Sequence, residues 1–512
     1  MIPLTTAFPA ASGSTVTWID IATFVIYVFG TLAFGIWVGG RQKDLKTYLL
    51  AGHQMHWSII AISVLAALFS GISFLGAPAE SFNHNLVYVW VLVAYFIATP
   101  ITTLVFLPFF FRLNFYTAYE YLEHRFDLRL RRLSSASFIF RVSLWLALAL
   151  YAPALVISEM MGIPLWISIL ITGLGTTLYT TVGGMRAVIY TDVMQFGVLL
   201  LGIISIFFVA LQKIPGGIVS AWQIAEAGGR TQFIDLSFSP DVRMTLWGAL
   251  IGGTALNLVQ LVTDQVSVQR YLTATNLREC QRALWFKLVL TLPLVSIFYL
   301  TGLVLYSFYQ THPEMAATLT SADRLLPNFV GRQIPSPIPG LLVAAILSAT
   351  MSVVSSGINS LTTATLIDFL YTKKTVADTP AEETARVLVA RKWTLFYGVV
   401  VTLLGLIVSR LGTFIEAAAK IGGLFGGPLL GIFFLGVLSR RANAKGTLIG
   451  AVTGFAALIG ATFFTSVSFM WYALIGSAVT YFVGEIASLF FDPPDHGQKQ
   501  FTLSGSKETT KP

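Results

Sequence analysis

Apolar runs of about twenty residues recur along the whole of this 512-residue chain, and they constrain its fold more than any other feature. Each run is long enough to cross the roughly 30 Å hydrocarbon core of a bilayer as a helix. Composition agrees, because 55% of the residues are hydrophobic and only 11% are charged, whereas a soluble globular protein has about 25% charged residues. The sequence therefore predicts an all-α integral membrane protein.

We predict about thirteen transmembrane helices from the positions of these runs. The loops between them are too short to form a catalytic domain, and the histidines lie in loops or at span ends. These features favour a transporter or a channel over an enzyme. The predicted spans are 18–39, 57–80, 86–111, 134–157, 163–183, 189–211, 243–265, 284–309, 338–370, 389–410, 414–438, 444–464 and 470–491.

The loop charges predict an orientation. Lysine and arginine are concentrated in alternate loops, and the positive-inside rule assigns those loops to the cytoplasm. The N-terminus is then outside, the C-terminus is cytoplasmic, and the plasma membrane is the expected location. Loop anchors of this kind explain the basic pI of 9.4 without nucleic acid as a partner. The single cysteine, Cys280, excludes an internal disulfide and a cysteine metal cluster.

A stripe of hydroxyl groups lies inside one apolar run, in the stretch SATMSVVSSGINS at 348–360. Ser348, Ser352, Ser355 and Ser356 have the spacing of one helix face. Neutral oxygens suit a hard cation such as sodium, by extension from the ligands of calcium and magnesium. Small hydroxyl residues also serve ordinary packing between membrane helices. The stripe alone leaves both interpretations open.

An acidic residue, Asp192, lies near the start of another apolar span. Acids inside a membrane are costly, so they usually contact a partner or a cavity. Asp192 is instead an interfacial residue if it lies at headgroup level, as nearby Arg186 allows. An acid together with a serine stripe makes a better sodium site than either does alone.

Two apolar spans contain helix-breaking residues. The span that begins at Trp57 contains Gly71, Gly76 and Pro78, and the span 243–265 is also rich in glycine. Broken helices at matching positions in two halves are typical of inverted-repeat transporters. The predicted segments are an N-terminal part at 1–56, a first repeat at 57–211, an extracellular loop at 212–242, a second repeat at 243–438, two C-terminal helices at 439–491 and a flexible cytoplasmic tail at 492–512.

Several motifs together resemble the sodium:solute symporter family. They are YTAYEYLEHRFDLRLRRL, LYTTVGGMRAVIYTDVMQ, DQVSVQRYL, MSVVSSGINSL and KIGGLFGGPLLGIFFLGVLSRRAN. The chain as a whole is similar to bacterial sialic acid symporters, whereas LALYAPALVI resembles the branch that carries iodide, monocarboxylates and vitamins. The resemblance implies a LeuT-like inverted 5+5 repeat, with one extra helix before it and two after. It also implies Na⁺ as a co-transported ion, with no organic cofactor.

The resemblance implies two sodium sites. The common site would take carbonyl oxygens from Ala66, Phe69 and Ala349 and a hydroxyl from Ser352. Val353 stands where the family has a second hydroxyl, and we therefore expect one ligand fewer. The second sodium site would consist of Asp192, Ser352, Ser355 and Ser356.

The solute is less constrained by the sequence. Sialic acid carriers hold the carboxylate with an arginine at the position of Trp145, which counts against sialic acid here. We predict a small organic anion such as a monocarboxylate or a vitamin-like acid. A sugar, sialic acid or an amino acid remains an alternative, and so does a passive channel or sensor on the same fold; the oligomeric state stays open. The predicted pocket consists of Leu68, Ser70, Ser73, Tyr88, Trp145, Asn257 and Gln260.

Arg141 and Lys287 are basic residues that fall inside predicted spans. Long basic side chains near a span end usually extend to the membrane interface. We expect that position for both, although Arg141 is one turn from Trp145 and could instead attract an anionic solute.

Overall fold

The computed structural model describes residues 17–40, 44–112, 115–319, 324–372, 379–407, 414–503 and 505. Most of the predicted N-terminal region before the first span, the end of the predicted span 389–410 and most of the tail after 503 lie outside these residues. Within the described ranges the secondary structure is helical, apart from a single β-bridge between Met55 and Ala274. The expected all-α fold is confirmed.

Eleven α-helices form the first half of the described chain. They are α1 (Trp18–Gly39), α2 (Leu45–Leu50), α3 (Trp57–Leu68), α4 (Gly71–Asn83), α5 (Val89–Val93), α6 (Tyr95–Ile101), α7 (Leu107–Arg112), α8 (Glu120–Arg125), α9 (Leu128–Met161), α10 (Leu165–Gln212) and α11 (Gly217–Ala227). A π-helical turn, Thr102–Phe106, joins α6 to α7, so that 89–111 is one apolar span.

Eleven more α-helices follow. They are α12 (Gly253–Leu258), α13 (Gln265–Tyr271), α14 (Leu277–Thr311), α15 (Pro313–Ala316), α16 (Leu325–Gln333), α17 (Ile338–Thr365), α18 (Pro380–Gly405), α19 (Phe414–Leu438), α20 (Ala444–Phe464), α21 (Tyr472–Ala487) and α22 (His496–Lys499). π-Helical turns flank α12, at Gly248–Gly252 and Val259–Thr263, and another one, Leu366–Leu370, extends α17.

Ten helices of the described chain are long and apolar enough to cross a membrane, or eleven if the bent pair α3–α4 counts as one span. Helix α10 has 48 residues, which at 1.5 Å per residue is more than twice the thickness of the hydrocarbon core. It covers two predicted spans that are joined at Gly184, where φ is 58° and the backbone leaves the helical region. The total of about thirteen spans stays a prediction.

Helix α17 lies at the centre of the bundle. Its residues from Leu342 to Thr365 are all buried, and it packs against α1, α3, α4, α9, α10 and α18. The hydroxyl stripe at 348–360 therefore contacts protein on every side, and lipid on none.

The predicted break in the first repeat is present. Helix α3 ends at Leu68, Phe69 is non-helical, and α4 begins at Gly71 with its axis turned by 62°. Gly71 allows α4 to approach α17 closely, because a Cβ atom there would lie 2.4 Å from Thr350 Oγ1. The break therefore brings the end of α3 against the serine-rich helix.

The predicted second repeat is also interrupted, but not at its glycines as we expected. The helical segment Gly248–Thr263 continues through its glycines by means of π-helical turns. It ends at Asp264, whose extended backbone starts α13. A π-turn shifts the hydrogen-bond ladder without ending the helix, whereas the Asp264 side chain caps α13 by accepting from Val266 N at 2.9 Å.

Candidate functional site

A cavity of about 160 Å³ lies between the two helix breaks. Its wall includes Phe69 from the first break and Asp264 from the second. The structure brings six of the predicted solute residues to this wall: Leu68, Ser73, Tyr88, Trp145, Asn257 and Gln260. Ser70, the seventh, does not line the cavity. It lies just before α4, and its buried hydroxyl has no hydrogen-bond partner among the described residues.

The uncharged polar groups of the cavity connect helices to one another. Tyr95 donates its hydroxyl to Gln260 Oε1 at 2.5 Å, and Asn257 Nδ2 donates to the Val91 carbonyl at 2.8 Å. These bonds fix the Gly248–Thr263 segment against the span 89–111. The amide nitrogen of Gln260 donates no hydrogen bond within the described chain.

Three charged residues complete the wall: Arg141, Asp264 and Lys287. Arg141 Nη2 lies 2.9 Å from Asp264 Oδ2. Arg141 is 3% exposed and Lys287 is 0% exposed, so the expectation that they extend to the interface was wrong. Lys287 is only three residues inside the predicted span 284–309, yet its side chain is directed into the bundle and lines the cavity.

Lys287 has an unusual environment. Its Nζ atom has no hydrogen-bond partner in the described residues. It lies 3.5 Å from the centroid of the Tyr95 ring, which gives a cation–π contact. Sequence analysis missed this residue because helix position alone does not show whether a lysine faces lipid or a cavity.

A second cluster surrounds Asp192, which is 0% exposed. Ser352 donates to its Oδ1 atom and Ser63 to its Oδ2 atom, both at 2.5 Å. Arg270 Nη2 donates to Oδ2 at 2.8 Å. The predicted contact between Asp192 and the serine stripe is therefore present, and Asp192 is not an interfacial residue.

Arg270 is the main residue of this cluster that the sequence analysis missed. It lies between the predicted spans 243–265 and 284–309, in what we expected to be a cytoplasmic loop, but its side chain is fully buried. It donates from Nε to Ser63 Oγ at 2.9 Å and from Nη1 to the Val266 carbonyl at 2.8 Å, and Nη2 also contacts Ser356 Oγ. The motif DQVSVQRYL, which contains Arg270, was the available signal, but a motif does not show which way a side chain points.

The serine stripe contributes both to the Asp192 cluster and to the packing of α17. Ser352 and Ser356 contact the Asp192–Arg270 pair. Ser355 and Ser356 also donate to the Ser352 carbonyl, at 3.1 and 2.6 Å, and Ser348 donates to the Ala344 carbonyl and contacts Tyr27. Part of the stripe is thus helix packing, and part is a buried polar site.

The residues of the predicted common sodium site lie on two elements in contact. The break after α3 leaves the carbonyls of Ala66 and Phe69 without the partners that a continuous helix would supply. Ala349 lies inside regular α17, so its carbonyl has only its second lone pair to offer an ion. Val353 lines the cavity together with Phe69.

Comparisons with known proteins agree with this architecture. Residues 48–454 match the family model described as the sodium:solute symporter family. Sodium-coupled monocarboxylate transporter 1 of Xenopus laevis is 33% identical over 455 residues, which are 88% of this chain and 72% of that protein. The sodium-dependent multivitamin transporter of Oryctolagus cuniculus is 32% identical over 448 residues, 86% of this chain and 70% of that protein. These relatives are transporters and not enzymes.

Solved structures match over nearly the full length. A Na⁺-coupled sialic acid symporter, in a substrate-bound outward-open state, has a TM-score of 0.87 at 28% identity and covers 94% of this chain and 99% of its own. Mhp1, a nucleobase-cation-symport-1 family transporter, has a TM-score of 0.58 at 12% identity over 89% of this chain and 97% of its own, which supports the fold alone. The family model, the relatives and the fold lead to one conclusion: this chain belongs to the sodium:solute symporter family.

Proposed function

We propose that this protein is a sodium-coupled symporter that imports a small organic anion, such as a monocarboxylate or a vitamin-like acid, by alternating access. One observation carries the proposal: two interrupted helices meet at a single cavity beside a buried carboxylate–serine cluster. In secondary transporters, discontinuous helices of this kind supply carbonyls and helix ends to ions and solutes. The proposed organisation is two inverted repeats, 57–211 and 243–438.

Sodium is the co-transported ion in this proposal. Ala66, Phe69, Ala349 and Ser352 would bind it at the common site, where α3 ends against α17. Val353 brings a methyl group where a hydroxyl would add a ligand. We therefore expect weaker binding at this position than a serine or threonine would give.

The second sodium site would use Asp192, Ser352, Ser355 and Ser356. In the structure Arg270 already supplies the positive charge beside Asp192. A sodium ion that bound there would have to displace the guanidinium group from the carboxylate. Occupation of this site is therefore expected to move α13, which carries Arg270.

The relatives and the cavity wall support the solute class. The monocarboxylate and multivitamin transporters are among the most similar curated proteins. The wall is mostly apolar, with a few polar and charged groups, as is usual for small-molecule sites. Trp145 occupies the wall where sialic acid carriers have their arginine.

The proposed location is the plasma membrane, with the N-terminus outside and the C-terminus in the cytoplasm. The distribution of basic loop residues supports this orientation. Cysteines placed one at a time at Arg129 and Glu226 would test it with an impermeant reagent in intact cells. Labelling at Glu226 alone is expected, and labelling at Arg129 alone would reverse the topology.

The function is tested by uptake into proteoliposomes. Labelled pyruvate, nicotinate, biotin, glucose, sialic acid and proline would be supplied with an inward sodium gradient or with potassium alone. Accumulation of the monocarboxylates above equilibrium, only with the sodium gradient, is the expected result. Equilibration without sodium dependence would indicate a passive channel, whereas sodium-driven accumulation of glucose or proline alone would contradict the solute class and leave symport intact.

A further inference from the structure

We propose that Lys287 binds the carboxylate of the solute and limits transport to anions with a single negative charge. This inference rests on the proposed function, because it assigns a residue and a charge class to the same cavity. It arises from the charges of the wall and not from the family motifs, none of which contains Lys287.

The cavity wall contains both basic and acidic side chains. Arg141 and Lys287 are its basic residues, and Asp264 is its acid. Both oxygens of Asp264 are in use, since Oδ2 binds Arg141 and Oδ1 accepts from Val266 N. Arg141 and Asp264 therefore neutralise each other, and the wall retains one positive charge, on Lys287.

Among the described residues, the ammonium group of Lys287 has no counter-ion. Lys287 is 0% exposed, and Nζ makes no hydrogen bond to any described residue. Glu80 of α4 is not among the residues of the cavity wall and binds Arg243 through both of its oxygens, at 2.7 and 2.9 Å. A buried ammonium group without a counter-ion is unfavourable, and the Tyr95 ring offsets only part of that cost. A bound carboxylate would supply the missing charge.

The side-chain amide of Gln260 offers a second hydrogen-bond donor near Lys287. Tyr95 contacts Lys287 with its ring and donates its hydroxyl to Gln260 Oε1. This bond leaves the amide nitrogen of Gln260 available on the cavity wall. A carboxylate has two oxygens, so the ammonium of Lys287 and the amide of Gln260 suit one of them each. The apolar side chains of Leu68 and Trp145 remain for the rest of the solute.

One surplus positive charge also excludes other solutes. A dicarboxylate would bring a second negative charge into a wall where Arg141 is already paired, and a neutral amide would leave Lys287 without a counter-ion. Burying the second, unpaired charge of the dicarboxylate is costly, whereas the amide gains no ion pair with Lys287.

The first experiment uses the unmodified protein. Purified transporter in saturating sodium is incubated with pyruvate, with its neutral amide or with malonate, and the rise in thermal unfolding temperature is recorded. Pyruvate is expected to stabilise at concentrations at least tenfold below those needed for the other two. Equal stabilisation by pyruvate and its amide would overturn the proposal, whatever any variant does.

The second experiment compares Lys287→Met, Lys287→Arg and a control, Lys392→Met. Methionine preserves the length of the lysine stem, and Lys392 is an exposed lysine on a membrane-spanning helix, α18. The KM for pyruvate uptake is expected to rise at least tenfold in Lys287→Met, to rise less in Lys287→Arg and to stay unchanged in Lys392→Met. A wild-type KM in Lys287→Met would contradict the assignment.

Two readouts distinguish this proposal from the function on which it rests. Stabilisation by sodium without solute reports the ion sites and the fold, and it should be the same in Lys287→Met as in the wild type. If pyruvate binding is lost in that variant but wild-type uptake ignores sodium, sodium coupling fails and the role of Lys287 stands. If wild-type uptake is driven by sodium but takes only neutral solutes, symport stands and the role of Lys287 fails.

Discussion

Arg270 and Lys287 are both fully buried cations, yet their surroundings are opposite. Arg270 binds Asp192, two serines and a backbone carbonyl. Among the described residues, the ammonium group of Lys287 has no hydrogen-bond partner and contacts the ring of Tyr95. A buried charge that its own chain has paired holds helices together, whereas one left unpaired retains its affinity for a ligand. The first cluster is therefore expected to control stability and ion response, and the second to control the choice of solute.

The largest effect is expected from a substitution of the paired cation, Arg270. Arg270→Met leaves Asp192 buried without its partner, and loss of one member of a buried pair costs about 3–5 kcal/mol. The variant should unfold at a much lower temperature in potassium, and sodium should restore part of the loss by binding beside Asp192. Thermal unfolding in the two salts measures both effects.

A matched control is Arg282→Met. Arg282 pairs with Glu279 at 2.9 Å, but its side chain is 69% exposed. Exposed pairs contribute about 0–1 kcal/mol, so this variant should melt close to the wild type. Equal melting of Arg270→Met and the control would show that the buried pair is not what holds these helices together.

Asp192→Ala is expected to have the next largest effect, on sodium itself. It removes the carboxylate of the proposed second site, and we expect the sodium concentration for half-maximal uptake to rise about tenfold, or about 1.4 kcal/mol. The combined variant Asp192→Ala with Arg270→Met separates ion binding from the cost of an unpaired arginine. An unchanged sodium requirement in both would remove Asp192 from the ion sites.

Val353→Thr should act in the opposite direction. Threonine has nearly the shape of valine and adds one oxygen beside Phe69 and Ser352, so sodium should bind up to about tenfold more tightly. Without an ion, the added hydroxyl would be destabilising by roughly 1–3 kcal/mol. Sodium titration of the unfolding temperature distinguishes the two, since a tighter site stabilises at lower sodium. Identical titrations would place the common site elsewhere.

The smallest effect should come from Tyr95→Phe, which tests the surroundings of the unpaired cation, Lys287. The ring below Lys287 remains, but the hydrogen bond to Gln260 is lost, at a cost of about 1 kcal/mol. We expect roughly fivefold weaker pyruvate binding, with an unchanged response to sodium. A change in the sodium response instead would mean that the two regions are not separate.

Much of the fold could be predicted from the sequence, because hydrophobic length fixes membrane helices and glycine and proline mark where they break. The structure contains the first break, the contact of Asp192 with the stripe and, on the cavity wall, six of the seven residues predicted for the pocket. These features depend on residue type and helix spacing. The second break was predicted at the wrong position. The helix continues through its glycines by π-turns, and it ends at Asp264, which caps the next helix.

The buried cations could not be predicted in the same way. Arg141, Arg270 and Lys287 were assigned to interfaces or loops, where most basic residues of membrane proteins lie. Their positions depend on partners that are distant in the sequence, such as Asp192 for Arg270. Only the packed structure shows that these partners meet.

The bend at Gly184 has a mechanical consequence. Helix α10 turns there without a loop, and a Cβ atom at this position would lie 2.7 Å from the Tyr48 carbonyl. The two parts of α10 are therefore connected directly, without an intervening loop, and Asp192 lies about two turns after the bend. A tilt of the part of α10 before Gly184 is therefore expected to move the Asp192 carboxylate. If the proposed second sodium site is present, the geometry of one glycine thus links the position of the helix before the bend to the binding of the ion after it.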